Sequence, residues 1–480
     1  MKDGRISTGI SDLDSILDGG LIKEKSFLIK GGPGSGKSTF GQLFLEEGAR
    51  EGEKAMLITM GESADSILFN SKQQGIDLSK VEILDMSPGK QEYSNEINYS
   101  VFSPVEVEAE PIIKKIIEEI EKHQPDRVLL DSLTMLKYLY ENPFQYKNMA
   151  LSLIRHICST GATLLMVSEN HPNSADEEAE FWVDGVLEVT NSVDWRRIRV
   201  HKFRGSGFMG GDHAIKIDGQ GIRVFPRLQP NEYARTFKST PVSSGIDELD
   251  EMLHGGIEKG TISMLTGPTG AGKTNLGIQF MKQASMRGER SVIYTFEESV
   301  EVIIKRSQMI GVPVDEMIEN GTLTIKSIEP FSFSPDEFSM MVRKDIEENG
   351  TEMVMIDSVG GYSLTVRQDD PLERLHSLCT YLGNVGVTSF LVSETPNITG
   401  EFITTKLHAS YLADNIIFLR YMEVRGELKK SIGILKKRMS DFERSIRELN
   451  ITAEGIKVGK PLRNLHGILS GSPTVIERSE

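Results

Sequence analysis

The sequence predicts an α/β protein made of two tandem P-loop domains, each a mostly parallel β-sheet with helices on both faces. Three observations predict it: a long internal repeat, a glycine-rich phosphate loop in each copy, and an alternation of strands and helices around each loop.

The repeat comes first. SerThrGlyIle followed by LeuAsp, from Ser7 to Asp14, returns as SerSerGlyIle followed by LeuAsp, from Ser243 to Asp250. Gly19-Gly20 matches Gly255-Gly256 and Lys37 matches Lys273, all at one offset of about 236 residues, so a whole domain is duplicated. At 480 residues the chain also exceeds what one hydrophobic core usually organises. The expected division is a first domain at 1–229, a linker at 230–242, a second domain at 243–454 and a tail at 455–480. The polar, proline-containing stretch from Pro226 to Pro241 marks the junction.

Composition narrows the function classes. With 38% hydrophobic and 26% charged residues, no membrane-length apolar run and no signal-peptide core at the start, a cytoplasmic chain is expected. Two cysteines, Cys158 and Cys379, lie in apolar helix-like stretches of different halves, which rules out a disulfide framework and suits a reducing compartment. The net charge of −16 disfavours a nucleic-acid partner, because backbone affinity needs a basic face.

Within each copy short apolar runs read as strands. In the first they are Phe27 to Ile29, Ala55 to Thr59, Arg127 to Leu130 and Ala162 to Val167. In the second they are Ile262 to Leu265, Ser291 to Phe296, Met353 to Ile356 and Thr388 to Val392. Ile112, Ile113, Ile116, Ile117 and Ile120 recur at helical spacing after Pro111, the pattern of an amphipathic surface helix.

Gly31 to Ser38 fits the P-loop pattern, directly after a strand and before the helix-compatible Thr39 to Arg50. Gly34, Ser35, Gly36, Lys37, Ser38 and Thr39 would surround the phosphates of ATP: backbone N–H groups converge, Lys37 adds a cation and Ser38 holds Mg2+. Thr269, Gly270, Ala271, Gly272, Lys273, Thr274 and Asn275 repeat the arrangement, with Thr274 as the metal hydroxyl. An isolated match could be an incidental glycine turn, but two at equivalent places in a repeat point to nucleotide binding. An Asp closing an apolar strand should complete each metal shell, and Asp131-Ser132 and Asp357-Ser358 both end such strands.

A carboxylate near the terminal phosphate must orient or deprotonate the attacking hydroxyl. The second copy offers Glu297 and Glu298 after its strand, at the sheet edge where ligands of open α/β sheets bind, and Glu297 is also a candidate metal ligand. The first copy has Gly61 in place of Glu297, leaving Glu62 as the only substitute and slow turnover, or nucleotide holding alone, as its expected behaviour.

Beyond these loops, SerSerGlyIle-x-x-LeuAsp, the GlyGly pairs, ThrPheGluGluSer, the stretch Tyr421 to Glu427 and the closing Ile468 to Thr474 resemble the KaiC family, a branch of the RecA-like ATPases that contains circadian clock ATPases and autokinases. The resemblance spans nearly the whole chain. It implies two RecA-like domains and a homohexamer with nucleotides between neighbouring subunits. Lys202 with Arg204, and Lys436 with Arg438, match the family's Lys-x-Arg pairs that reach the neighbour's nucleotide; from residue pattern alone a solvated strand edge would be the better reading, and only the resemblance reverses it. Arg425 resembles a nucleotide-contacting arginine of the second tier, and the tail after Gly455 resembles a regulatory segment. Serine autophosphorylation is implied at Ser410, with Thr405 as a nearby alternative; Tyr411 stands where the family has a second acceptor threonine, so a two-step phosphorylation cycle is not expected. Partners implied are further copies of the chain and Kai-type or other signalling proteins. Two other readings stay open: an ATP-gated scaffold with little catalysis, favoured by Gly61 and Tyr411, and a RecA-like DNA-binding ATPase, which the net acidity disfavours.

Overall fold

The computed structural model describes residues 3–87, 104–140, 142–169, 178–191, 195–219, 221–329, 331–364, 371–395, 409–470 and 473–475. It divides the chain into two compact units, Met1–Arg227 and Leu228–Glu480.

The first unit carries a nine-stranded sheet: β1 Ser26–Gly31, β2 Ala55–Thr59, β3 Glu82–Asp85, β4 Arg127–Asp131, β5 Thr163–Glu169, β6 Gly185–Asn191, β7 Arg196–Phe203, β8 Asp212–Asp218 and β9 Gly221–Phe225. Its spatial order is β3-β2-β4-β5-β1-β6-β7-β8-β9. The second unit repeats this with β10 Ile262–Gly267, β11 Arg290–Thr295, β12 Leu323–Ser327, β13 Thr351–Asp357, β14 Thr388–Glu394, β15 Asn415–Val424, β16 Glu427–Lys437, β17 Arg447–Thr452 and β18 Gly455–Pro461, in the order β12-β11-β13-β14-β10-β15-β16-β17-β18. In both sheets the strands up to β6 and β15 run parallel, and the last three are added antiparallel. These antiparallel extensions are not marked by the apolar runs that betray the parallel strands, because charged residues alternate along them, as in Arg196, Arg197, Arg199 and Lys202 of β7.

Helices cover both faces of each sheet, which is why the parallel strands read as unbroken apolar runs. Phe27 and Ile29 of β1 join one core cluster with Phe40 and Phe44 of helix Lys37–Glu51, whereas Leu28 faces the opposite cluster with Ile116, Ile120, Leu153 and Ile157. The isoleucine-rich helix extends over Pro104–His123, so Pro111 lies inside it rather than at its start. Cys379 is buried, and burial pushes its thiol up to about 12; Cys158 is half-buried, its thiol pushed up to about 11 for the same reason.

The repeated SerThrGlyIle-x-x-LeuAsp motif is a local brace. Asp14 accepts from the Ser7 hydroxyl at 2.6 Å and the Thr8 amide at 2.8 Å, and Asp250 accepts from the Ser243 hydroxyl at 2.5 Å and the Ser244 amide at 2.8 Å. Gly20 and Gly256 both take positive φ, and a Cβ on either would collide with the Ile6 or Val242 carbonyl oxygen, which explains the repeated GlyGly.

Two boundaries differ from those read in the sequence. The segment expected as a linker packs onto the second unit: Tyr233 meets Tyr381 edge-on at 5.4 Å, and Asn384 Nδ2 donates to the Pro230 carbonyl at 2.9 Å. The second sheet also continues past residue 454, since Gly455–Pro461 is its edge strand and pairs with β17. The aromatic and apolar side chains Tyr233, Ile456 and Val458, buried or half-buried, decide both points by joining the core. No helix among the described residues is long and apolar enough to cross a membrane.

Candidate functional site

Parallel strands deliver the loops that follow them to one edge of the sheet. After β1 and β10 the chain turns through Gly34 and Gly36, or Gly270 and Gly272, all at positive φ, and enters helices Lys37–Glu51 and Lys273–Met286. Lys37 Nζ donates to the Gly31 and Gly32 carbonyls, both at 2.8 Å; Lys273 Nζ donates to those of Gly267 and Pro268, both at 2.9 Å. Burial lowers the affinity of both lysines for their protons, while Glu169 and Asp131, or Glu394 and Asp357, oppose that shift. Two positive-φ glycines, a helix N-terminus and a buried ammonium make each loop a concave cationic cradle, and its chemistry fits the phosphates of ATP.

The neighbouring strands add the acidic side of the site. Thr59 lies opposite Asp131 in the register, and Thr295 opposite Asp357, so the Asp endings and the residues after β2 and β11 share one edge. Thr274 Oγ1 donates to Asp357 Oδ2 at 2.8 Å, and Ser38 bonds Asp131. Burial pushes the Asp357 carboxyl up to about 6, with Glu298 adding to the shift and Thr274, Arg306 and Lys273 opposing it; Asp131 shifts upward for the same dominant reason. Among the described residues no group of three or more His, Cys, Asp or Glu is disposed to hold a metal alone. A hydroxyl–carboxylate pair beside a phosphate cradle suits Mg2+, which takes few protein ligands and shares the phosphate oxygens.

In the second copy Glu297 accepts a hydrogen bond from the Ser358 hydroxyl, and Glu298 pairs with Arg306 at 2.6 Å. One pocket is lined by Thr269, Gly270, Gly272, Lys273, Thr274, Asn275, Glu297, Glu298 and Asp357, which brings together most of the residues expected there. Ala271, within the loop, is buried. In the first copy Gly61 leaves open space, and Glu62 accepts from the Ser66 hydroxyl at 2.5 Å and Asn70 Nδ2 at 2.7 Å. Ser35 is buried, and Thr39 Oγ1 donates to Gln74 Oε1 at 3.1 Å.

Other predicted residues stand elsewhere. Lys202 pairs with Val186 near the start of β6, and Lys436 with Ile416 near the start of β15, so Lys202, Arg204, Lys436 and Arg438 occupy the sheet edge opposite their own phosphate loops. Lys202 donates to the Glu180 and Val183 carbonyls, Lys436 to those of Ser410 and Ala413, and Arg438 to Asp414 and the Tyr411 carbonyl; Arg204 is exposed. Ser410 lies on the same far edge in the short turn Ala409–Tyr411, and Thr405 lies outside the described residues. Arg425 is exposed at positive φ in the turn between β15 and β16 and is not among the residues lining the pocket. Lys430, not singled out in the sequence, does line the pocket and donates to the Gly270 carbonyl at 2.9 Å.

Sequence reasoning also missed Glu394, which accepts from Thr269 Oγ1 at 2.9 Å and lies 3.9 Å from Lys273. Its repeat partner Glu169 faces Lys37, and the register aligns Gly31 with Glu169 and Gly267 with Glu394. The signal was present in the matched endings Ser168-Glu169 and Ser393-Glu394.

Two phosphate cradles on duplicated, mainly parallel sheets, each with a hydroxyl–carboxylate pair beside it, define a tandem RecA-like P-loop ATPase. A family model described as an ATPase, KaiC, matches residues 6–229 and again 242–463, and the chain belongs to that family. It is 29% identical over 493 residues to the circadian clock oscillator protein KaiC of Acaryochloris marina, covering 99% of this chain and 92% of that protein. It is equally similar, at 29% over 488 residues, to the circadian clock protein KaiC3 of Synechocystis sp., with 99% and 96% covered. The KaiC of Synechococcus elongatus is 29% identical over 494 residues, with 99% and 93% covered.

Proposed function

We propose that this chain is an ATP-hydrolysing hexameric switch that phosphorylates a serine of its own second domain and serves clock-like or signalling regulation. The observation that carries the catalytic part is the second-copy pocket, where Lys273, the Thr274–Asp357 pair and Glu297 face one cavity. ATP brings the transferable phosphoryl group, and Mg2+ neutralises its oxygens when bound. Lys273 and the loop amides would hold the phosphates, and Thr274 and Asp357 would hold the metal. Glu297, steadied by the Ser358 hydroxyl, orients the attacking hydroxyl and takes its proton.

Assembly with further copies of the chain is supported by the position of the Lys-x-Arg pairs on the edge opposite their own loops, out of reach of their own unit's nucleotide, and a ring of six is what the family resemblance implies. Ser410 lies on that edge too, so phosphorylation there would be given by a neighbour. Tyr411, half exposed beside it, makes one acceptor serine the proposed limit. An ATP-gated scaffold is the second reading, favoured in the first copy by Gly61.

Mass-spectrometric mapping of phosphate after incubation with magnesium and ATP tests the proposal. Phosphate on Ser410 that disappears in Glu297→Gln is expected. An unmodified chain with no sustained phosphate release would support the scaffold reading instead.

A further inference from the structure

The two copies differ at the phosphate-facing edge by two replacements of opposite charge. Gly61 in the first corresponds to Glu297 in the second, and Asn70 corresponds to Arg306, both at the offset that relates the loop lysines. One carboxylate is added and one guanidinium is added.

Arg306 projects from helix Val300–Met309 into the same pocket as Lys273, Glu297 and Asp357. Its Nη1 donates to Glu298 Oε1 at 2.6 Å, while its Nε and Nη2 and the second oxygen of Glu298 are shielded from solvent and have no protein partner. In the first copy, neutral donors suffice for the single carboxylate Glu62. A guanidinium thus stands where two adjacent carboxylates face a site for a polyanion, and where like charges would otherwise repel each other and the phosphates.

We infer that Arg306 is a positioning residue for phosphoryl transfer: by fixing Glu298 in an ion pair it leaves Glu297 free, with Ser358, to face the attacking hydroxyl. The inference rests on the assignment of Glu297 as the orienting carboxylate. Without Arg306, Glu298 is released to compete for Lys273 and Ser358 and to repel the incoming phosphates. Glu297 and Arg306 then form one unit that the first copy lacks entirely.

The test is steady-state phosphate release by the full chain, taking the part abolished by Glu297→Gln as the second-site rate. Arg306→Gln is expected to lower that rate about tenfold and Arg306→Lys to restore most of it. In a Glu298→Gln background, Arg306→Gln should change the rate by less than about twofold, because the charge it controls is gone. An unaltered rate in Arg306→Gln, or an equal loss in both backgrounds, would overturn the inference. So would a fall in melting temperature that Arg306→Lys reverses without restoring turnover. If Glu297→Gln leaves turnover intact, the assignment of Glu297 fails, a result separate from these.

Discussion

Asp357→Asn should stabilise the nucleotide-free protein at neutral pH, although it removes a residue proposed to hold magnesium. Asp357 is 8% exposed, and burial lifts its carboxyl from the ordinary 3.8 to about 6, against the opposing pull of Thr274, Arg306 and Lys273. An acid whose folded pKa exceeds its unfolded one penalises the folded state wherever it is ionised in both. The penalty is complete above about pH 7 and fades as the pH falls through 6 towards 4. A rise of about 2 units corresponds to roughly 3 kcal/mol at pH 8, and to about half that at pH 5. Asparagine keeps the acceptor for Thr274 Oγ1 and carries no charge, so it escapes the penalty. Urea unfolding of both proteins at pH 8 and pH 5, with a chelator and no nucleotide, reads the difference as a change in midpoint. With magnesium and ATP the order should reverse, because a ligand that binds only the folded wild type stabilises it by mass action. An Asp357→Asn midpoint no higher than wild type at pH 8, or an advantage that grows towards pH 5, would refute the reasoning.

Other consequences can be checked at the same sites. Grafting the second copy's pair into the first as Gly61→Glu with Asn70→Arg should raise first-site phosphate release several-fold, whereas Gly61→Glu alone should gain less; a Cβ at Gly61 meets nothing within 4 Å. Lys430→Ala should raise the KM for ATP more than Arg425→Ala does, since Lys430 lines the pocket and Arg425 is exposed; steady-state kinetics distinguish the two. A mixture of Lys273→Ala and Ser410→Ala proteins should regain phosphate on Ser410 of the former if transfer runs between subunits, read by mass spectrometry. Removing the brace with Asp250→Ala should cost on the order of 1–3 kcal/mol, because the fully buried Ser244 loses the acceptor of its amide and keeps for its hydroxyl only the longer bond to the Ile246 carbonyl; the unfolding midpoint reports it.

The phosphate loops were legible because their chemistry is contiguous. Glycines, lysine and hydroxyl lie within eight consecutive residues, and the flanking strand and helix announce themselves by apolar runs and spacing. Asp131 and Asp357 were legible too, since an Asp closing an apolar strand at the carboxyl edge has a place in any open parallel sheet. Duplication then turned each local match into a pair, so Gly61 against Glu297 could be read as a difference in chemistry.

Other parts of the site depended on the arrangement of elements in space. Glu394 meets Lys273 because β14 lies beside β10 in register, and Lys430 reaches Gly270 because β16 folds back antiparallel along β15. No local pattern distinguishes these side chains from solvated charges. The same holds for Arg306, one of several charges on its helix until the fold points it at Glu298. The Lys-x-Arg pairs show the converse: their sequence neighbours said nothing of direction, and strand polarity alone sets them on the edge away from their own loops. Chemistry confined to a single turn of chain is thus written in the order of residues, whereas chemistry assembled from strand ends is decided by which strands the core packs side by side.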